Sequence, residues 1–201
     1  MVLAANVGHM AAPEFRERRW TRVEYDRLID AGVFQPGEPI ELLGGLLIVA
    51  EPQGDGHFTA IRLAKDALRA TFGPGWEVRA QGPIALDAES EPEPDVAVVP
   101  GTARDYRDGH PTHAVLVVEV AESSLRRDRE DKGSLYARAG IADYWIVNLV
   151  DRVLEVFREP GPEATAPFGW RYQSVTTVGP EGSVVPLAAR DSRIRVADLL
   201  P

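Results

Sequence analysis

The segment "HAVLVVEVAESS", residues 113–124, predicts a central strand of the fold. Six of its first eight residues are apolar and most of these are β-branched, which is typical of a strand buried on both faces of a sheet. Glu119 nevertheless lies inside this apolar run. Because burying an unpaired carboxylate costs several kcal/mol, Glu119 is expected to have either a binding partner or a function.

The segment "EPEPDVAVVP", residues 91–100, places a second acid, Asp95, at the start of another apolar strand. Two carboxylates at the ends of adjacent central strands would repel each other, and a hard divalent cation would remove that repulsion. Asp95 and Glu119 are therefore candidate ligands for Mg²⁺ or Mn²⁺ in phosphoryl chemistry. The alternative is that Asp95 caps a turn and Glu119 points to solvent at an exposed strand end.

The chain of 201 residues is 44% hydrophobic and 26% charged, as in ordinary globular proteins. We predict a disordered tail over 1–15, without the features of a secretory signal, and a single domain over 16–201. No apolar run approaches the roughly 20 residues that span a membrane, so no membrane partner is expected. The lack of cysteine excludes disulfides and cysteine nucleophiles and suits a reducing cytoplasm.

The formal net charge of −9 disfavours a protein that binds nucleic acid through a strong positive field. It is more compatible with clustered carboxylates that hold a divalent metal. Two segments, 14–22 and 126–138, each carry a local net charge of +2, from four basic and two acidic and from five basic and three acidic residues. Each segment is either a local basic surface or an ordinary solvated helix face.

Periodicity and turn residues predict the order of the elements. Helices are predicted over 21–32, 57–73 and 127–139, with a helical turn at 195–200. Hairpins are predicted over 39–51 and 143–159, and single strands over 76–81, 83–87, 94–100, 113–120 and 169–175. The pattern indicates an α/β or α+β fold, a mixed β-sheet with helices on both faces and the acids at its centre.

Asp128, Lys132 and Tyr136 follow one another at intervals of four residues and therefore share one face of the third helix. From that face, Lys132 could reach a bound phosphate or the attacking water. The alternative is an exposed Asp128–Lys132 ion pair, worth only a few tenths of a kcal/mol. Because an exposed pair of this kind contributes little, we expect that replacing Lys132 barely changes stability.

Two further candidates have simpler explanations when each is considered alone. Glu41 lies in the apolar run "PIELLGGLLIV", where a polar hairpin face would account for it. His57 begins the second helix and could carry protons or bind metal, although an exposed helix end would also explain it.

Together these motifs resemble the Uma-two family, a large bacterial family of endonucleases within the PD-(D/E)XK restriction-endonuclease-like superfamily. The resemblance covers about residues 20–157. It rests on Pro94-Asp95-Val96, Glu119-Val120 and the linked string Lys132-x-x-x-Tyr-x-x-x-Gly-Ile-x-x-Tyr-Trp145, which is the most specific part. Glu41 and His57 fall where the family has a glutamate and a histidine.

The resemblance implies a restriction-endonuclease-like fold and metal-dependent hydrolysis of DNA. By the same resemblance, Mg²⁺ or Mn²⁺ would be held by Asp95, Glu119, the carbonyl of Val120 and Glu41. The usual lysine of the superfamily follows the strand glutamate by two residues, where this chain has Ala121.

Lys132 is therefore expected to take over the role of that lysine, positioning or activating water and stabilising the phosphate. Tyr136 is expected to orient Lys132 or to contact a phosphate. The chain departs from the family pattern at Gly44, Glu122 and Asn148, and Glu122 adds a negative charge near the site.

Two classes of function remain open from the sequence: an endonuclease, and an inactive nuclease-fold protein that binds nucleic acid or protein. A homodimer is expected, because two sites related by a two-fold axis cut a duplex most easily. The strands over 143–150 and 152–159, or the strand near Trp170, are the predicted pairing surfaces.

Overall fold

The computed structural model describes residues 17–35, 37–50 and 53–201, so the predicted tail over 1–15 lies outside the described residues. The strands are β1 (Ile40–Leu43), β2 (Leu46–Val49), β3 (Trp76–Ala80), β4 (Val96–Pro100), β5 (Leu116–Ala121), β6 (Asp143–Asn148), β7 (Val153–Pro162), β8 (Trp170–Val178), β9 (Ser183–Val184) and β10 (Ile194–Arg195). The helices are α1 (Arg22–Asp30), α2 (Asp55–Phe72), α3 (Leu125–Arg127) and α4 (Gly133–Arg138). Short 3₁₀ turns lie at Ala103–Tyr106 and Val196–Asp198.

A six-stranded sheet in the order β3-β4-β5-β6-β7-β8 forms the centre of the molecule. Only β5 and β6 run parallel, and all other neighbours in this sheet are antiparallel. The strands β1 and β2 form a separate hairpin, and β9 pairs with β10. The predicted mixed sheet flanked by helices is therefore confirmed.

Strand β5 is buried along its whole length because a helix covers each face of the sheet. Its residues 116, 118 and 120 pack in one core with the apolar face of α2, whereas 117 and 121 pack in a second core with α4. On the neighbouring strand, Trp145 enters the first core and Tyr144 the second. The alternation fixes which face Glu119 occupies: the face toward α4.

A π-helical turn over Asp128–Lys132 joins α3 to α4 without a break. We call the continuous segment 125–138 the site helix. The sequence predicts this helix over 127–139 but gives no signal for the π turn. In the turn, the amide of Gly133 donates to the carbonyl of Asp128, five residues earlier, and the hydroxyl of Tyr144 donates to the same carbonyl over 3.0 Å.

The predicted strand over 83–87 is wrong. Its residues make only an isolated bridge between Asp87 and Ser90. The amide of Ile84 donates to Pro92 and that of Ala85 donates to Pro111, so the segment pairs with proline-containing loops. Because proline offers no N–H in return, a regular ladder does not form.

Among the residues that the structure describes, β3 and β8 are the free edges of the central sheet. Strands β6 and β7 lie inside the sheet, with a hydrogen-bonded neighbour on each side. The prediction that the strands over 143–150 and 152–159 offer a self-pairing surface is therefore wrong, and only the strand that contains Trp170 remains. Within the described residues, no helix combines the length and apolar character needed to cross a bilayer.

One buried ion pair ties the sheet to the C-terminal segment. Asp143 is fully buried and accepts hydrogen bonds from the indole of Trp145, the guanidinium of Arg158 and the amide of Leu187. Arg158 also donates to the carbonyl of Val185. The pair therefore connects β6 and β7 to the segment that precedes β10.

We predict that Arg158→Met lowers the free energy of unfolding by about 3 kcal/mol, because it leaves Asp143 buried without a cation. Urea titration followed by circular dichroism measures the change. Arg107→Met is the control, since Arg107 pairs with Asp108 at the surface and should leave the midpoint unchanged. Equal midpoints for both variants would contradict the assignment.

Candidate active site

The register of β4 and β5 brings the two strand acids together. The strands are antiparallel with Val96 opposite Val118, so Asp95, just before β4, lies opposite Glu119. The amide of Asp95 donates to Glu119 Oε2 over 3.3 Å, and the amide of Val120 donates to Asp95 Oδ2 over 2.8 Å. Asp95 is 5% exposed and Glu119 3%, so the alternative of a solvent-facing Glu119 is wrong.

Lys132 reaches this pair from the site helix. Its Nζ donates to Glu119 Oε1 over 3.0 Å and to Glu41 Oε1 over 3.1 Å. Lys132 is 8% exposed and forms no ion pair with Asp128 within the described chain. The alternative of an exposed Asp128–Lys132 pair is wrong, so the reason for expecting that the replacement of Lys132 would barely change stability no longer holds.

Glu41 comes from β1, whose four residues are all buried. It is 7% exposed, so a polar hairpin face does not explain it. Its Oε1 atom binds Lys132, and its Oε2 atom is buried without a hydrogen-bond partner among the described residues. Glu41 therefore presents a free lone pair to the same cluster.

Tyr136 and Asp128 complete the face of the site helix. The hydroxyl of Tyr136 donates to Glu119 Oε1 over 2.7 Å. Because Tyr136 is fully buried behind Glu119, its position is suited to orienting the carboxylate and offers no contact with a phosphate. Asp128 is 3% exposed and accepts a hydrogen bond from the hydroxyl of Ser124.

His57 approaches from the other face of the sheet, at the start of α2. Its Nε2 lies 2.6 Å from the carbonyl oxygen of Val120 and 3.4 Å from Asp95 Oδ2. At 6% exposure it is not the exposed helix end that the sequence also allowed. Burial lowers the pKa of His57, so the neutral imidazole is favoured, and its Nε2–H can donate to Val120.

Burial makes the excess of carboxylates costly. Desolvation, followed by repulsion from Glu119, raises the pKa of Asp95 well above its usual value and that of Asp128 to about 7. Desolvation likewise raises the pKa of Glu41, although Lys132 opposes the shift. Burial alone would lower the pKa of Lys132, but the surrounding carboxylates raise this pKa by more than burial lowers it. The ammonium group therefore stays charged.

These side chains line a cavity of about 300 Å³ at the ends of the central strands. Its acidic lining residues are Glu41, Glu93, Asp95, Glu119, Glu122 and Asp128. The basic side chains in the lining are Lys132, Arg126 and Arg127. Gln53 also lines the cavity, and its Nε2 lies 3.5 Å from Asp95 Oδ1. Tyr136 is not part of the lining.

The sequence interpretation did not identify Glu93, Gln53 or Arg127 as site residues. The "EPEPD" run offered a signal for Glu93, two residues before Asp95, and the local positive charge of 126–138 offered one for Arg127. At Asn148, one departure from the family pattern, the amide donates to Asp151 and Glu155 and so has a structural role.

The donor atoms fit Mg²⁺ or Mn²⁺ in their chemistry, because the free groups are carboxylate and carbonyl oxygens. The carbonyl of Val120 keeps a second lone pair beside its bond to His57. Glu41 Oε2 has no partner among the described residues. Within those residues no three His, Asp or Glu side chains already have metal-site geometry.

Fold and site together define a restriction-endonuclease-like protein. The sequence model of the Uma2 family, described as "Putative restriction endonuclease", matches residues 22–193. The chain therefore belongs to the Uma2 family, as the sequence motifs predicted.

A solved structure supports the fold assignment. A crystal structure described as a "putative nuclease belonging to DUF820" from Anabaena variabilis superposes with a TM-score of 0.61. It is 16% identical, and the match covers 86% of this chain and 96% of that one. No curated protein matches the sequence.

We predict that Lys132→Met lowers the free energy of unfolding by about 3 kcal/mol, because Glu41 and Glu119 lose their shared cation inside the protein. Urea titration tests this. In the double variant Glu41→Gln/Lys132→Met part of the loss should be recovered, since one buried charge is gone.

The matched control is Lys65→Met, which removes the only other lysine of the chain. Lys65 is half-buried on α2 and has no ion pair within the described residues. Its replacement should change stability by less than about 0.5 kcal/mol. A Lys132→Met protein as stable as the wild type would show that the ion cluster is not formed.

Proposed function

We propose that this protein is a metal-dependent endonuclease that hydrolyses phosphodiester bonds in DNA. The observation that carries the proposal is the meeting of Asp95 and Glu119 with the ammonium of Lys132 in one cavity. Membership of the Uma2 family supports the nuclease class. Metal dependence and the DNA substrate are the further parts of the proposal.

Mg²⁺ or Mn²⁺ would be held by Asp95, Glu119 and the carbonyl of Val120, with Glu41 as a further oxygen ligand. His57 would position that carbonyl through its Nε2–H. When bound, such an ion lowers the pKa of water and stabilises charge on a phosphate. It also balances the carboxylates whose pKa values burial raises, since a cation can replace the protons that they otherwise hold.

The side chains have separate tasks in this proposal. Tyr136 and Lys132 both donate to Glu119 Oε1 and so fix the direction of that carboxylate. An ammonium group has three N–H donors, and two of those in Lys132 are used by Glu119 and Glu41. Because Lys132 lines the cavity, its third N–H can donate to the attacking water or to a phosphate oxygen.

The second candidate is a protein of the same fold that binds nucleic acid or protein without cleaving it. One observation favours it: the carboxylates of Glu41 and Glu119 already pair with Lys132, so the cluster is held together by the chain's own cation. Cleavage by the purified protein, and its dependence on the site residues, separates the two candidates.

We predict that millimolar Mn²⁺ or Mg²⁺ raises the unfolding temperature of the wild type and not that of Asp95→Asn. A ligand that binds only the folded state at a hundredfold excess over Kd stabilises it by about 2.7 kcal/mol, or several degrees. The asparagine oxygen can still accept the hydrogen bond from Val120, so the fold should remain. Cleavage of supercoiled plasmid or single-stranded DNA should fall at least about 100-fold.

Asp66→Asn is the matched control, because Asp66 is exposed on α2 and its replacement makes the same charge change far from the cavity lining. It should keep both the metal-dependent shift and the cleavage rate. A shift that persists in Asp95→Asn would place the metal elsewhere. If the wild type cleaves no DNA form with either metal, the binding function is the correct one.

The proposed assembly is a homodimer that pairs through β8. This strand is a free edge of the sheet, and Val175 within it is 54% exposed. We predict a mass twice the 22.0 kDa of the chain in light scattering at micromolar concentration. Val175→Lys should shift the mass to that of the monomer, because like charges would face each other across the pairing. A wild-type monomer would contradict the prediction.

A further inference from the structure

Three arginines lie in the first part of the site helix, within residues 126–129, and they differ in their partners. Arg126 is largely exposed, and its Nη1 lies 3.1 Å from Glu130 Oε2. Arg129 makes two hydrogen bonds to Glu155, at 2.8 and 2.5 Å. Arg127 lies between them, is half-buried, and forms neither an ion pair nor a side-chain hydrogen bond with any described residue.

Arg127 lines the cavity, where acidic side chains outnumber basic ones. It nevertheless pairs with none of these acids, although Glu122 and Asp128 line the same cavity. A guanidinium carries five N–H donors in a rigid fork that fits a phosphate in a bidentate arrangement. A half-buried guanidinium without an acceptor among the described residues is therefore well suited to an acceptor on a ligand.

The other cations of the cavity have acceptors already. Two donors of Lys132 are used by Glu41 and Glu119, and Arg126 is held toward Glu130 at the surface. An acidic cavity repels a polyanion, so a substrate phosphate needs a positive group near the metal ligands. Among the cations of the described lining, Arg127 is the one with no acceptor among the described residues, so all of its donors remain available for that contact, whereas Lys132 has one N–H left.

We propose that Arg127 anchors a phosphate of the substrate backbone at the mouth of the cavity, beside the scissile bond. The inference rests on the proposed nuclease function and extends it to substrate positioning. A contact to phosphate fixes the register of a nucleic acid without reading its sequence. Arg127 is thus a positioning residue that acts on the DNA backbone, and it takes no part in bond breaking.

The test measures binding of fluorescent single-stranded and duplex oligonucleotides in EDTA, so that no cleavage occurs. Arg127→Gln should weaken binding at least about tenfold. Over about 50 to 200 mM salt, the slope of log K against log salt should decrease in magnitude by about 0.9 for duplex or 0.7 for single strands, the value for one lost phosphate contact. If Arg127 had a purely structural role, its replacement would not change this slope by the value expected for one phosphate contact.

Arg69→Gln is the matched control, because Arg69 is exposed on α2 and lies outside the cavity lining. It should change the affinity for DNA less than about twofold, since it removes a charge outside the cavity whose electrostatic effect on the bound DNA is screened by salt. Arg126→Gln tests the assignment within the site helix. An equal loss in Arg126→Gln, or an Arg127→Gln protein that behaves like Arg69→Gln, would overturn the proposal, as would a wild type that binds no DNA.

Kinetics with Mn²⁺ separate this proposal from the nuclease function itself. Arg127→Gln should raise KM at least about tenfold and leave kcat within about twofold, because the lost contact is made equally in the bound and transition states. The Mn²⁺-dependent rise in unfolding temperature should be unchanged. If the wild type binds DNA with the predicted Arg127 dependence but cleaves none, the phosphate anchor is supported and the nuclease function is rejected.

Discussion

The structure depends on the burial of Glu119 inside a central strand. Its two carboxylate oxygens accept hydrogen bonds from Lys132, Tyr136 and the amide of Asp95, so the charge is held where a bare carboxylate would be strongly unfavourable. Lys132 and Tyr136 lie on the site helix, and Asp95 lies just before β4. The site helix, β4 and, through Lys132, the β1 hairpin are therefore fixed around one side chain.

The same constraint connects the fold with the proposed chemistry. One ammonium group lies among several buried acids. Because these acids are removed from water, the pKa values of Asp95 and Glu41 are raised. Such a cluster holds extra protons or a cation. In the proposed function, a divalent ion would satisfy it with oxygen ligands that the strand ends already present. The energetic cost of the site in the free protein would then be the source of the proposed affinity for metal.

The sequence predicted the parts of the site that follow from local patterns. The apolar strands that carry Asp95 and Glu119 and the shared helix face of Lys132 and Tyr136 follow from periods of two and of about four residues. The register that places Asp95 opposite Glu119 comes from the structure. The partner of Lys132 did not follow, because Glu41 lies 91 residues away in sequence. No local pattern distinguishes a buried lysine with a distant partner from an exposed one with a near partner.

The other differences have similar causes. The π turn has no sequence signature, and the supposed strand over 83–87 has the right composition but meets proline-containing loops.

A crystal grown with Mn²⁺ and measured by anomalous scattering tests the proposed metal site most directly. We expect one strong peak within coordination distance of Asp95, Glu119 and the carbonyl of Val120. A structure of the wild type at saturating Mn²⁺ with no peak there, or with the peak at another place, would contradict it.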